Sequence, residues 1–246
     1  MKKPFIYALS LLFWLAVWEA VYLLIDKAIL VPSPFSVFKR LMEFCAMPSF
    51  WLSVATSLFR VAAGLLLGTA FGIAGAVLTA KSTVLKSLFA PVMHVIKATP
   101  VASFIILAIL WLRVENVPVF TSMLIVFPVV WANVEKGILS VDPMLIQMGK
   151  SFGLSGKKIF SRITVPSVKP FFSAAMTGAV GMAWKAGIAA EVICPYKDSI
   201  GSALHDSKIY FETVDTFAWT VAVVVLSVIF EKLVLMLASK GGGKNA

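Results

Sequence analysis

Apolar residues gather in this chain into long runs, and polar residues fall in the short intervals between them. Six runs stand out: Phe5 to Ile25, Ser53 to Leu78, Leu88 to Leu112, Val117 to Val134, Phe171 to Ile193 and Thr216 to Leu237. Each is long enough to cross a bilayer as a helix. The first follows Met1-Lys2-Lys3 as a signal peptide would. Its apolarity persists to Ile25, however, and no small-x-small cleavage site follows, so it reads as an uncleaved span. The second carries Gly64, Gly68, Gly72 and Gly75 at three- and four-residue intervals, a spacing that lets helix backbones approach closely in lipid. The third is interrupted at Lys97-Ala98-Thr99-Pro100, where proline removes a backbone hydrogen bond and bends or breaks the helix. The fourth is expected to kink near Pro128. The fifth contains Gly178, Gly181 and Gly187, again read as close packing.

The intervals carry their own signals. Leu30 to Pro34 is a breaker cluster, and Phe35 to Phe50 after it is amphipathic, a helix lying at the outer surface. Arg113 to Asn116 is a tight outer turn. Glu191 to Asp215, with Gly201 and His205, is a longer outer loop that either receives a solute-delivery protein or caps the bundle. Gly241 to Ala246 reads as a structureless tail. The one long polar and basic segment is Asp142 to Pro166. Asp142 is a good N-cap and Pro143 suits the first helical position, where a missing N–H costs nothing. Met144, Leu145, Met148 and Phe152 recur at helical spacing as one apolar face. Gly153 ends that helix or allows close backbone contact. Ser155 is placed to cap a second short helix, with Ile159, Phe160 and Ile163 on its apolar side and Lys157, Lys158 and Arg162 opposite, and Pro166 is expected to stop it. Two short amphipathic helices joined by a glycine turn, between two spans, suit a partner at the membrane surface.

Composition agrees with the run pattern: 60% of residues are hydrophobic, 14% are charged and the mean hydropathy is +0.94. These values belong to the membrane class. The net charge of +10 would suit nucleic acid in a soluble protein. Here it reads as the excess of basic residues on the cytoplasmic side. With both termini inside, the inner segments hold Lys2, Lys3, Lys81, Lys86, Lys136, Lys150, Lys157, Lys158, Arg162, Lys169, Lys232, Lys240 and Lys244. The outer ones hold only Lys27, Lys39, Arg40, Arg113, Lys197 and Lys208. That bias, about two to one, puts Asp142 to Pro166 in the cytoplasm.

Catalytic chemistry is not visible. The sequence has no GxxxxGK[ST] loop, HExxH or CxxC. His94 and His205 fall on opposite predicted faces and make no metal or enzyme site. Cys45 and Cys194 both fall outside, and unpaired thiols are expected ahead of a bridge. Glu19 reads as a residue facing neighbouring helices. Lys97, Thr99 and Pro100 at the break, and Trp184, Lys185 and Glu191 in the fifth span, are the candidates for lining a pathway. A lysine in mid-span costs about 2.5–3.5 kcal/mol on insertion scales and should face protein or water. Glu191 is a poor partner for Lys185 on the same helix, being about 240° out of phase, and a partner on another helix stays open.

Gly153, nine further residues and then Ile163-Thr164-Val165-Pro166 resemble the EAA loop of binding-protein-dependent ABC import permeases. In that pattern Glu-Ala-Ala is followed by three residues, Gly, nine residues, and Ile-x-Leu-Pro. Val165 stands for the Leu, and Gln147, Met148 and Gly149 occupy the Glu-Ala-Ala positions, a departure from the pattern. The Val31-Pro32-Ser33-Pro34 cluster, the Ser57 to Gly64 stretch, the Ala98-Thr99-Pro100 break and Ala189-Ala190-Glu191 look most like the branch serving nitrate, sulfonate, taurine, bicarbonate and vitamin precursors. The resemblance implies an all-α polytopic fold of about six transmembrane helices (MetI-like) in one domain over 1–246. It would comprise a five-helix unit at 53–238, a first span with outer amphipathic segment at 1–52 and a cytoplasmic coupling loop at 142–166. It implies ATPase coupling by Met144, Leu145, Gln147, Met148, Gly149, Phe152, Gly153, Ile159, Ile163 and Pro166. It further implies a permease of the inner membrane, with two ATP-binding subunits, a second permease copy, an extracytoplasmic solute-binding protein and surrounding lipid as partners. No cofactor is expected on the chain itself, with ATP used by the partner. The rival, a self-contained secondary transporter or channel, predicts internal repeats, paired broken helices and several buried acids. The sequence offers one break and no convincing repeat.

Overall fold

The structure, a computed structural model, describes residues 3–240; the tail from Gly241 lies outside the described residues. They form helices and no strand. The helices are α1 (Lys3–Ile25), α2 (Pro34–Ala46), α3 (Pro48–Lys81), α4 (Thr83–Ala98), α5 (Val101–Trp111), α6 (Val117–Leu139), α7 (Pro143–Ser151), α8 (Gly156–Ile159), α9 (Val165–Ile193), α10 (Ile200–Ile209) and α11 (Thr213–Lys240).

The packed centre is made by α3, α6 and α9. Gly64, Gly68, Gly72 and Gly75 line the face of α3 that meets α6. A β-carbon on Gly64 would sit 2.6 Å from Ser122 Cβ, and one on Gly68 would sit 2.8 Å from Val126 Cβ. Gly75 lies under the Trp131 ring, whose Nε1 donates to Thr79 Oγ1 at 3.0 Å. The spacing of small residues thus sets how near the two backbones run. Gly187 of α9 enters the same centre against Val61 and Ser122, and Ser122 Oγ donates to Ala183 O at 3.0 Å. Gly178 and Gly181, expected to pack closely as well, have no such neighbour and face away from the chain's own core.

Around this centre, α2 and α11 are joined by side chains. Phe44 and Phe50 stack on Trp219 at 5.1 and 5.0 Å. Arg40 donates through Nε and Nη2 to both carboxylate oxygens of Asp215, each at 2.7 Å. The helix expected over Phe35 to Phe50 is α2, started by Pro34 at its first position and by Ser33 Oγ accepting from Ser36 N–H. It ends at Ala46, because Pro48 opens α3. The apolar stretch of α1 has no buried residue; its attachment is Trp18, whose Nε1 donates to Pro32 O at 3.1 Å and whose ring lies 5.8 Å from Phe217. Cys45 and Cys194 are free thiols.

Four described helical stretches are long and apolar enough to cross a membrane: Phe5–Ile25, Pro48–Lys81, Val114–Leu139 and Thr213–Met236. The pair α4 and α5 makes a fifth if it is one crossing, and it bends by 106° at Thr99-Pro100. The interruption expected there is therefore a turn of the chain direction rather than a kink. The remaining expected span corresponds to α9, which is long enough at 29 residues but less apolar. Glycine, alanine and Lys185 dilute it, and one face is buried in protein, where small residues serve better than bulky apolar ones.

Candidate functional site

The segment from Asp142 to Pro166 is built as two short helices closed by a turn. Asp142 Oδ1 accepts from Met144 N–H at 2.8 Å and starts α7, with Pro143 at its first position. The other end is a Schellman closure. Leu154 N–H donates to Gly149 O at 3.0 Å, Gly153 N–H donates to Lys150 O at 2.9 Å, and Gly153 has φ +70°. A β-carbon at Gly153 would meet nothing within 4 Å, so the glycine is required by the backbone and not by space. Gly149, in one of the alanine positions of the EAA pattern, does need space: a β-carbon there would lie 3.1 Å from Ile163 Cδ1 and 3.3 Å from Ile159 Cγ1. Gly149 and Ile159 are buried and Ile163 is half-buried, and together they seal α7 to the helix that follows.

Outside that seam the apolar face of α7 has no cover. Met144 is 75% exposed, Met148 51% and Phe152 78%, with Leu145 and Gln147 exposed beside them. Phe160, expected on the apolar side of the second helix, is exposed as well. Two expectations fail locally. Ser155 occupies the N-cap of α8, but its side chain makes no capping bond. Pro166 does not stop the helix. The chain passes from α8 through a π turn over Phe160–Thr164, where Val165 N–H reaches back five residues to Phe160 O, and continues as α9. The widened turn accommodates Pro166, whose ring and missing N–H would otherwise disturb the bond to the preceding turn.

The six pathway candidates separate. At the break, Thr99 Oγ1 donates to Val95 O at 2.8 Å, Pro100 caps α5, and Lys97 is exposed. On α9 Lys185 is exposed, in a stripe with Ser173, Thr177, Gly178 and Met182. Trp184 and Glu191 do not share that face. Trp184 is 1% exposed, ringed by Phe230 at 5.7 Å, with no partner for its Nε1.

Glu191 is fully buried and joins three helices. Its Oε2 accepts from Ser57 Oγ at 2.6 Å and from Gly201 N–H at 3.2 Å, and its Oε1 lies 3.3 Å from Arg60 Nη1. Ser57 Oγ in turn accepts from Ile200 N–H at 2.9 Å, and Arg60 lies over the Tyr196 ring at 5.1 Å. The outer loop is thereby clamped: α10 starts on the carboxylate, Ser199 and Ser202 form a reciprocal capping box, and His205 Nδ1 lies 3.1 Å from Val192 O. Gly201 packs directly against Glu191. Glu191 is paired with Arg60, a partner that the sequence reading does not name; Lys185, for which a partner on another helix stays open there, is exposed. The sequence signal for Arg60 was a second charge inside a span, three residues beyond Ser57 on the same helix face.

Comparison with known proteins follows the same lines. A profile described as "Binding-protein-dependent transport system inner membrane component" matches residues 64–240. A probable ABC transporter permease protein of Brucella melitensis is 27% identical over 207 residues, covering 84% of this chain and 84% of that one. The taurine transport system permease protein of Escherichia coli is 22% identical, covering 72% of this chain and 66% of that one. In fold, the chain is similar to a crystal structure of a bacterial ABC transporter that imports the acidic polysaccharide alginate. The TM-score is 0.65 at 15% identity, covering 99% of this chain and 97% of that one.

Proposed function

The chain belongs to the family of binding-protein-dependent transport system inner membrane components, the permease subunits of ABC importers, and from that premise we propose how its parts divide the work. It is a multi-pass protein of the inner membrane. The uncovered face of α7 docks an ATP-binding subunit, with Met144, Leu145, Met148 and Phe152 as the inserted side chains. Gly149, Ile159 and Ile163 hold the docking helix at its angle, and Gly153 closes it. The observation that carries this reading is that four apolar side chains at helical spacing are displayed on a helix, α7, whose own ends are capped and whose other face is sealed. An exposed apolar helix face on a segment that also carries Lys150, Lys157, Lys158 and Arg162 marks an interaction site.

The remaining roles follow. Hydrolysis of ATP belongs to that partner, since the sequence has no phosphate-binding loop. Two permease copies face each other across the stripe of α9 that includes Gly178, Gly181 and Lys185, with two ATP-binding subunits beneath. Residues 53–238 form the transport unit, both termini are cytoplasmic, and a solute-binding protein delivers from the other side. Exposed Lys185 and Lys97 favour a small anionic or polar solute of the sulfonate, nitrate, taurine or vitamin-precursor type. Trp184 and Glu191, being buried, support the pathway from behind.

Purification in mild detergent tests the docking assignment. A P-loop ATPase should stay bound in equal amounts, and Phe152→Glu should weaken it by about 30-fold, the loss of one interface anchor worth about 2 kcal/mol. A chain that purifies alone and moves solute without ATP would make it a secondary transporter.

A further inference from the structure

None of the 16 residues of helix α4 is buried. Its far end is the 106° break at Thr99-Pro100. Along its length it meets α6 at two side-chain contacts. Phe89 lies 5.5 Å from the Trp131 ring, and Lys86 Nζ lies 3.5 Å from Glu135 Oε1. Together with Thr79, His94 and Lys97, these residues of α3, α4 and α6 line a half-open cavity of roughly 150 Å³.

The ion pair is lopsided. The Lys86 side chain is 52% exposed and that of Glu135 15%. Glu135 Oε1 is closed to solvent and accepts no hydrogen bond, so the cation at ion-pair distance is its neutralising contact. A carboxylate enclosed this way is costly without its cation, while the lysine is easily solvated. Such a contact holds when the helices are in register and releases when they are not. Glu135 also stands close to the docking segment. It lies one turn from the end of α6, and α7 begins at Pro143. Gly137 packs on the Phe171 ring of α9, so the end of α6 is braced against the helix that leaves the docking segment.

Resting on the docking role proposed above, we infer that Lys86 and Glu135 are positioning residues, whose ion pair ties α4 to the end of α6 and passes movement of the docking helices to the hinged arm before Thr99-Pro100. The pair acts as a unit and sets the exposure of the cavity between the helices.

The test uses the complex of this chain with its ATPase, with Cys45 and Cys194 replaced and a single cysteine at Ala90, a cavity-lining position on α4. Maleimide modification is timed without nucleotide and after trapping with MgATP and vanadate. In the unmutated pair trapping changes the rate. Lys86→Gln, Glu135→Gln and the double variant should each raise the nucleotide-free rate by the same factor, about tenfold for a coupling of about 1.4 kcal/mol, and abolish the response to trapping. Unchanged rates, or effects of the two single variants that multiply in the double, overturn the inference. Lys86 is half exposed, so Lys86→Gln folds even where Glu135→Gln does not, and it decides alone. Loss of the ATPase from the unmutated chain appears before any labelling. It would remove the docking role, and this inference with it.

Discussion

At the scale of single residues, the most exacting site is the buried cluster at Glu191. Taking Arg60 and Glu191 out of water is tolerable because Glu191 accepts from Ser57, Gly201 and Arg60, and Arg60 lies over the Tyr196 ring. Glu191→Ala leaves Arg60 buried without its carboxylate and should cost about 3–5 kcal/mol, read as a lowered midpoint of thermal unfolding in detergent. Replacing both charges at once, as Arg60→Met with Glu191→Leu, should cost less, because no orphaned charge remains. An equal or larger loss would show that the hydrogen bonds to Ser57 and Gly201 matter more than the ion pair. Gly201→Ala should also unseat α10, since its methyl would meet Glu191. The sequence made part of this legible. A charge inside a span should face protein or water, and helical phase made Glu191 and Lys185 poor mates for each other. Which charge on another helix completes the pair depends on how α3 and α9 pack, which no local pattern states.

At the scale of elements, caps and seams decide. Gly153 sits at φ +70°, where an L side chain costs about 1–2 kcal/mol. Gly153→Leu should therefore loosen the end of α7 and uncouple ATP hydrolysis from transport, measured as ATP consumed per solute moved. Normal coupling in that variant would count heavily against the docking role. The α7 cap, its apolar face and its glycine stop were all readable from local chemistry, because each depends on neighbours within about one turn. The continuation past Pro166 was not. Proline is read as a stop when the only alternative is a regular α-helix, and the π turn before it is a different alternative. The glycine ladder of α3 was likewise legible as spacing. That Gly187 shares its role while Gly178 and Gly181 do not required knowing which face of α9 turns inward.

At the scale of the whole molecule, the glycines of α9 separate internal packing from assembly. Gly187→Leu should prevent folding, seen as loss of membrane-inserted protein, since its side chain would enter the α3–α6 contact. Gly181→Leu should leave the chain folded but shift the purified complex toward a single permease copy in size measurement, because among the described residues a β-carbon there would meet nothing within 4 Å outside its own helix backbone. A folded Gly187→Leu variant, or an undisturbed Gly181→Leu assembly, would contradict this division of faces. The π turn over Phe160–Thr164 has a consequence of another kind. It holds one residue more than a regular turn, so it takes in that residue while keeping the rotational phase between the docking segment and α9. Deleting Ser161 would close it to a regular turn and leave the docking pair facing nearly as before, whereas deleting Ser167 from the regular helix beyond it would swing the pair by about 100° around the axis of α9. Two halves that each fold would then face the wrong way for one another, like a key cut correctly and soldered to its handle a quarter-turn out.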